Sequence, residues 1–358
     1  MLRIDVLPAR HGDCLWLEYG DAAQPTRILV DGGPGFAYVA LRARIEALEP
    51  GLRRIDLLIV THVDGDHIEG VIKLLRDPPP GLEIGAIWFN GAPQLAALPV
   101  APAAASYGPL QGEYLGKLIA QKGIPWNRPF GGEAAMAGAR VDLPGGASAR
   151  LLSPGLDQLV RLRRSWNAEL AHAGIEPDAS EQDMARLRAI RRLAPPPSFA
   201  AGGGLHDIAA LAARPFSPDT AVANGSSIAI LFEYAGCRLL LLGDAFPEVV
   251  EAHADRILHV DMVKLAHHGS GANLSPSLLD KLKCGRYVVS SDGSYFRHPD
   301  AEALARVVCH GGPAATLMFN YRSVRTVPWS DPVLQRRYGY RTVYPGRDGA
   351  GLSLPLIA

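Results

Sequence analysis

A layered α/β fold is what the sequence predicts, and three observations predict it. Short aliphatic runs closed by Gly or Pro alternate with longer segments of helical periodicity. Hydrophobic residues make up 48% of the 358, enough for a sizeable core. Asp and His residues recur immediately after the apolar runs. In a layered α/β protein the strand ends along one sheet edge share a rim, so these polar groups are placed to converge.

The elements follow in order. "RIDVLP", "CLWLEYG" and "RILVDGG" read as strands separated by tight turns, "YVALRARIEALEP" as a helix, "RIDLLIV" as a strand, and "DHIEGVIKLLRD" as a helix beginning near Asp66. After "EIGAIWFN" an Ala/Pro-rich stretch weakens the pattern. It resumes with a helix around "LQGEYLGKLIAQKG" and strands near "ARVDLP" and "ARLLSP". Residues 155–220 differ in kind: helical patterns in "LDQLVRLRRSWNAELAHAG" and "EQDMARLRAIRRLA", then the breakers "PPPSFAAGGG", read as a helical insertion between a first part, 1–154, and a second, 221–358. Strands return in "SSIAILFEYAG", "CRLLLLGDAF", "VDMVKLAHHGS" and "RYVVSSDGS", with helices at "LSPSLLDKLK" and "PDAEALARVVCH".

Composition excludes some classes. The 36 basic side chains balance the 36 acidic ones, so no global field draws the chain to nucleic acid or an anionic membrane, and any such contact must be local. Charges interrupt the first residues where a signal peptide needs an apolar segment, and no run approaches the ~20 apolar residues of a membrane span, so a cytoplasmic protein without membrane contact is expected. Cys14, Cys237, Cys284 and Cys309 lack CxxC spacing and suit reduced thiols.

The chemistry sits in the loops. "HVDGDH" packs His62, Asp64, Asp66 and His67 into six positions at the end of an apolar run. Asp31 follows "ILV" and precedes a Gly pair, Asp244 follows "RLLLLG", and His267 and His268 end "MVKLA". Carboxylates gathered so closely repel one another, whereas a divalent cation makes the cluster favourable. His11 reads as a turn residue, with Asp13 beside it capping that turn; the alternative is that His11 approaches the clustered donors from this early turn.

This ordered set resembles the metallo-β-lactamase fold, a four-layer αββα sandwich in which two αβ halves hold a dinuclear metal site. The typical loop of that family reads HxHxDH. Here Asp64 replaces the second His, and the typical His between that loop and Asp244 has no counterpart; "ANGSSIAILFEYAG" offers Asn224 and Ser226 or Ser227 instead. Both departures resemble the metallo-β-lactamase domain of ComEC-type DNA-uptake proteins and their soluble relatives, as do "LLSPG", "LLLLGDAF", "AHHGS", "HPDAEALARVV" and "YRTVYPGRDGAGLSL".

The resemblance implies two divalent metal ions, Zn²⁺ or Mn²⁺ with Mg²⁺ as a further candidate, since an oxygen donor in place of imidazole hardens the first site. His62 and Asp64 would hold one ion, with Asn224 or a water in place of the missing imidazole. Asp66, His67 and one of His267 or His268 would hold the other. Asp244 would bridge them, and Asp31 would orient the loop. Asp66 and His298 are the candidate catalytic groups, and Asn224 and Ser226 candidate supporting or substrate-contacting ones; for His298 the alternative is a helix-start residue before Pro299.

The resemblance points to nucleases, and paired hard metals suit phosphoryl oxygens, so a phosphodiesterase or nuclease using a metal-activated water is the first expectation. A hydrolase of a small ester, lactone or phosphorylated metabolite, or a partner-binding module using the 155–220 insertion to dock a protein, are the alternatives. Nucleic acid would meet local Arg-rich stretches: "RLRR" (161–164), "RLRAIRR" (186–192), "NYRSVR" and "QRRYGYR", the last two with tyrosines able to stack bases.

Overall fold

The computed structural model describes residues 1–99, 110–173, 207–312 and 314–358, with side chains left out for 167–173. The patterns "EQDMARLRAIRRLA" and "PPPSFAAGGG", and the arginines of 186–192, lie outside the described residues.

Fourteen strands build two mixed sheets. In chain order they are β1 (Leu2–Val6), β2 (Leu15–Tyr19), β3 (Thr26–Val30), β4 (Leu57–Ile59), β5 (Ile87–Trp88), β6 (Arg140–Leu143), β7 (Ala147–Ser153), β8 (Ala229–Tyr234), β9 (Cys237–Leu241), β10 (Met262–Lys264), β11 (Arg286–Val289), β12 (Thr316–Phe319), β13 (Arg341–Val343) and β14 (Leu352–Ile357). The first sheet runs β14-β1-β2-β3-β4-β5 and the second β13-β12-β11-β10-β9-β8-β7-β6. Two strands cross the division read from the sequence at the insertion: β6 and β7 precede it yet belong to the second sheet. Conversely β14, from the C-terminal part, pairs with β1 in the first.

Period-two alternation sorts the side chains into layers. Leu2, Ile4, Val6, Leu15, Leu17, Ile28 and Val30 pack between the sheets against Leu151, Ile230, Phe232, Leu239 and Met262. On the outer face of the first sheet Trp16, Leu29 and Leu58 meet helices α1 (Tyr38–Glu46), α2 (Gly65–Arg76), α3 (Leu110–Lys122) and α4 (Leu156–Ala173). On the far face of the second, Leu240, Val263, Val289 and Leu317 meet α5 (Ile208–Ala212), α6 (Pro276–Lys281) and α7 (Ala301–His310). The result is a four-layer αββα sandwich.

The β3–β4 pair is parallel, and so are β9–β10 and β10–β11. Parallel pairing sends the C-terminal ends of each set to one edge, where the loops carrying Asp31, His62, Asp244, His267 and His298 begin. Among the described residues no helix is long and apolar enough to cross a membrane. All four cysteines are free.

Candidate metal centre

Backbone bonds between loops draw the rim together. Gly32 N–H donates to His67 O at 2.9 Å, Ile228 N–H to Thr61 O at 2.9 Å, and His267 N–H to Gly243 O at 2.9 Å. The second of these links the two sheets, and the third joins two loops of the second sheet. Asp31, His267 and His268 take left-handed backbone conformations, with φ of 60°, 46° and 55°. Non-glycine residues adopt that region at a cost, and such strain gathers where a side chain must be aimed.

Four imidazoles and three carboxylates meet there. His62 Nε2 lies 3.7 Å from Asp244 Oδ2, His67 Nε2 3.4 Å from Asp244 Oδ1, and His267 Nε2 3.6 Å from Asp244 Oδ2. Asp244 is therefore central. To one side Asp66 Oδ2 stands 3.2 Å from His268 Nε2 and 3.9 Å from His67 Nε2; to the other Asp64 Oδ2 stands 3.8 Å from His62 Nε2. Donor atoms bound at about 2.0–2.2 Å to a shared cation stand roughly this far apart.

Each imidazole is held from behind through Nδ1. His67 Nδ1 meets Asp31 Oδ2 at 2.8 Å, His267 Nδ1 meets Asn273 Oδ1 at 2.9 Å, and His268 Nδ1 meets Asp13 Oδ1 at 3.2 Å and Ser290 O at 3.1 Å. All of these partners are acceptors, so Nδ1 carries the proton. His62 Nδ1 lies 3.0 Å from both Thr61 Oγ1 and Ser227 Oγ. Thr61 gives its own proton to Asp31 Oδ2, so its oxygen accepts from His62. In every case Nε2 faces the cluster.

The cluster also passes a test of fit. His62 Nε2, His67 Nε2 and Asp244 Oδ1 are buried without a hydrogen-bond partner. Orphaned buried polar atoms are costly in a native fold, and three aimed at one point suit a cation. Electrostatics agree. Burial opposes charge on Asp244, yet His267, His67 and His268 outweigh it and hold its carboxyl well below the usual range. Burial also works against protonated His267, but Asp244 and the hydrogen bonds to Asp219 and Asn273 raise it to about 9. His67 is likewise raised, by Asp244 and Asp31 against burial, whereas burial and then His67 lower His62.

Some residues stand elsewhere than the sequence suggested. Ser226 turns away, its Oγ donating to Ala223 O at 2.6 Å; Ser227 takes the supporting place, bonding His62 and accepting Asp244 N–H at 3.0 Å. Asn224 keeps its Oδ1 buried without a hydrogen-bond partner. Its amide donates to Asp219 Oδ2 at 2.7 Å and lies 3.4 Å from His267 Nδ1, on the outer side of that ring. His267 and His268 were expected to divide into one ligand and one neighbour, but both present Nε2 to carboxylates of the cluster. His298 lies in ring contact with His267, centroids 5.0 Å apart, and its Nδ1 is 3.4 Å from Asp300 Oδ2, long for a hydrogen bond.

Asp13 is more than a turn cap. It is fully buried between the halves, where Lys264 Nζ donates to its Oδ2 at 2.5 Å while its Oδ1 backs His268. Asp13, His67 and His268 also have ligand atoms within 4.8 Å of one another. With the Lys264 ammonium already on it, Asp13 is a support, and the group of His62, His67 and Asp244 is the better cation set. Lys264 itself gave no signal beyond breaking an apolar run. In "RLRR", Arg163 points inward to Leu95 O and Leu98 O, each at 3.4 Å, and lines no groove. Tyr340 of "QRRYGYR" is buried and bonded to Trp329 O, so it cannot stack on a base.

Residues 13–134 match the family model described as the metallo-beta-lactamase superfamily. No curated protein matches the chain. Among solved structures, a mutant of CmlA beta-hydroxylase is 14% identical, with 99% of this chain and 54% of that chain covered and a TM-score of 0.43. This chain thus spans about half the length of that protein. Zn²⁺-bound PqqB from Methylobacterium extorquens is 13% identical over 95% of this chain and 87% of its own, at a TM-score of 0.40. A diphosphatase of the PhnP family is 12% identical over 97% and 85%, at 0.39.

Proposed function

We propose that this metallo-β-lactamase domain is a metal-dependent hydrolase of phosphodiesters, with nucleic-acid strands, as in the ComEC-type proteins its motifs resemble, as the first substrate class. The observation that carries the reading is the convergence of His62, His67, His267 and His268, through Nε2, on Asp244 and Asp66. His62 and Asp64 would contribute to one cation and Asp66 and His268 to the other, with Asp244, His67 and His267 between them. When bound, a cation pair supplies Lewis acidity toward a phosphoryl oxygen and acidifies water.

The chain's own groups do the rest. Asp31, Asn273, Asp13 and Ser227 fix each ring so that its Nε2 faces inward. Asp64, 26% exposed at its side chain, puts an oxygen donor where the family pattern has nitrogen, which favours harder cations and phosphoryl oxygen. His298 borders the cluster; burial lowers its pKa, so its neutral ring serves as a hydrogen-bond contact for a substrate oxygen. The near-neutral chain supplies no long-range attraction, so binding strength must come from this rim.

Elemental analysis of the purified protein beside Asp64→Ala/Asp244→Ala tests the reading. About two metal equivalents per chain are expected in the first and a large loss in the second. With Mn²⁺ or Zn²⁺, single-stranded DNA and bis-p-nitrophenyl phosphate should be cleaved. Turnover of a lactone alone would reject the phosphodiesterase.

A further inference from the structure

We propose that Phe36 and Tyr295 form a stacking platform for a base of a single-stranded nucleic acid whose phosphate sits at the His/Asp cluster. The proposal rests on the phosphodiesterase reading and names its substrate class more closely.

A continuous path of rings leads from solvent to the cluster. Phe36 meets His11 at 5.7 Å between centroids, and His11 stacks on Tyr295 at 4.6 Å and 21°. Tyr295 meets Phe296 at 4.6 Å, and Phe296 lies parallel to His298 at 6.4 Å and 25°. His298 then touches His267, whose Nε2 is 3.6 Å from Asp244. At the outer end Phe36 is 45% and Tyr295 37% exposed. The other large apolar side chains exposed among the described residues are aliphatic, so the two open rings among those residues, each packed on His11, stand on the path to one site.

Charge and backbone suit a nucleotide strand. The exposed Arg10 guanidinium lies over Phe36, 4.9 Å from its centroid, and forms no ion pair with a described residue. It can meet a phosphate flanking the stacked base. Three carboxylates lie near His11: Asp66, which belongs to the cluster, and Glu69 and Asp292, which already accept the Gly35 and Ser294 N–H groups. The ring-bearing loops are tied to each other before any ligand arrives. Asp292 N–H donates to Arg10 O at 2.9 Å, and Arg10 N–H to Tyr321 Oη at 2.8 Å. An acyl chain is best served by an enclosed apolar cavity; open flat rings beside a guanidinium suit a planar base on an anionic backbone. Stacking reads any base, so little sequence preference is expected, and duplex DNA, whose base faces are covered, should bind poorly.

The test is fluorescence anisotropy of the metal-loaded protein with a labelled single strand of thymidylate and an abasic strand of equal length, both with cleavage-resistant phosphorothioate linkages, so that binding is read without turnover. Wild type should hold the thymidylate strand about tenfold or more tighter than the abasic one. Phe36→Leu/Tyr295→Leu should abolish that preference, and Tyr295→Phe, which keeps the ring, should retain it. Equal affinity for the two strands, or a preference that survives the double leucine variant, overturns the platform. So does tight capture of a phenyl ester with no base preference in the strand. Cleavage of the abasic strand made with ordinary phosphodiester linkages, in Mn²⁺, separates the two readings: if the strand is cut while base preference is absent, only the platform falls. If neither strand is cut, the phosphodiesterase falls, whatever the binding data say of the rings.

Discussion

Lys264 and Asp13 form an ion pair at the heart of the molecule, both nearly without solvent contact, and Asp13 in turn backs His268. Removing one partner strands a buried charge, so Lys264→Met should lower stability by about 3–5 kcal/mol in chemical denaturation. Adding Asp13→Asn should recover much of that loss while leaving metal affinity impaired, because His268 loses its anionic support. Protons make a second prediction. His267, raised to about 9, and His67, also raised, hold protons at pH 7 in the metal-free protein, and a cation must displace them. Metal uptake at pH 7 should release protons, seen as a buffer-dependent calorimetric heat, and affinity should climb toward pH 9. The sign for folding is opposite. A raised pKa contributes stability below about 6.5 that is lost as pH rises through 9, so only the metal-free protein should weaken over that window. At this scale the sequence was legible where donors crowd a short loop, as in His62 to His67. It was opaque for Asp13 and Lys264, 251 positions apart, and for Ser227, chosen over its neighbour by the direction of one side chain.

Helix α2 carries Asp66 and His67 in its first turn and docks on the Asp31–Gly33 turn through Gly70. A methyl group at Gly70 would stand 1.9 Å from Gly32 O, and Gly70 N–H already donates to Gly33 O at 2.8 Å. Alanine normally helps a helix by about 1 kcal/mol. Here Gly70→Ala should destabilise instead, by roughly 1–3 kcal/mol from overpacking, and lower bound metal by displacing His67. Denaturation midpoints with elemental analysis of the variant check both. The helix was readable from its strong apolar periodicity and acidic start. The strand before it was only partly so: "RIDLLIV" breaks at Asp56, whose carboxylate accepts the Arg27 amide, leaving two short strands in place of one. The start of the insertion read correctly as a helix, yet helical spacing does not reveal that Arg163, one of its arginines, turns toward the carbonyls of Leu95 and Leu98.

Across the whole molecule, donors lie at the ends of β4 in one sheet and of β9 and β10 in the other, so a cation bound there ties the two halves. Zn²⁺ or Mn²⁺ at a hundredfold excess over Kd should add about 2.7 kcal/mol and raise Tm by several degrees in calorimetry, reversed by chelator. An unchanged Tm would mean that the loops do not close on metal. The layered architecture was readable from strand and helix order, but the exchange of strands between sheets was not, since pairing partners leave no trace in local composition. One such partnership reaches further. Residues 352–357 cover the outer edge of residues 2–6 in antiparallel register. A proteolytic nick that frees this segment would bare a row of amides and carbonyls, and nicked copies should then zip together into oligomers in light scattering long before the His/Asp rim is disturbed.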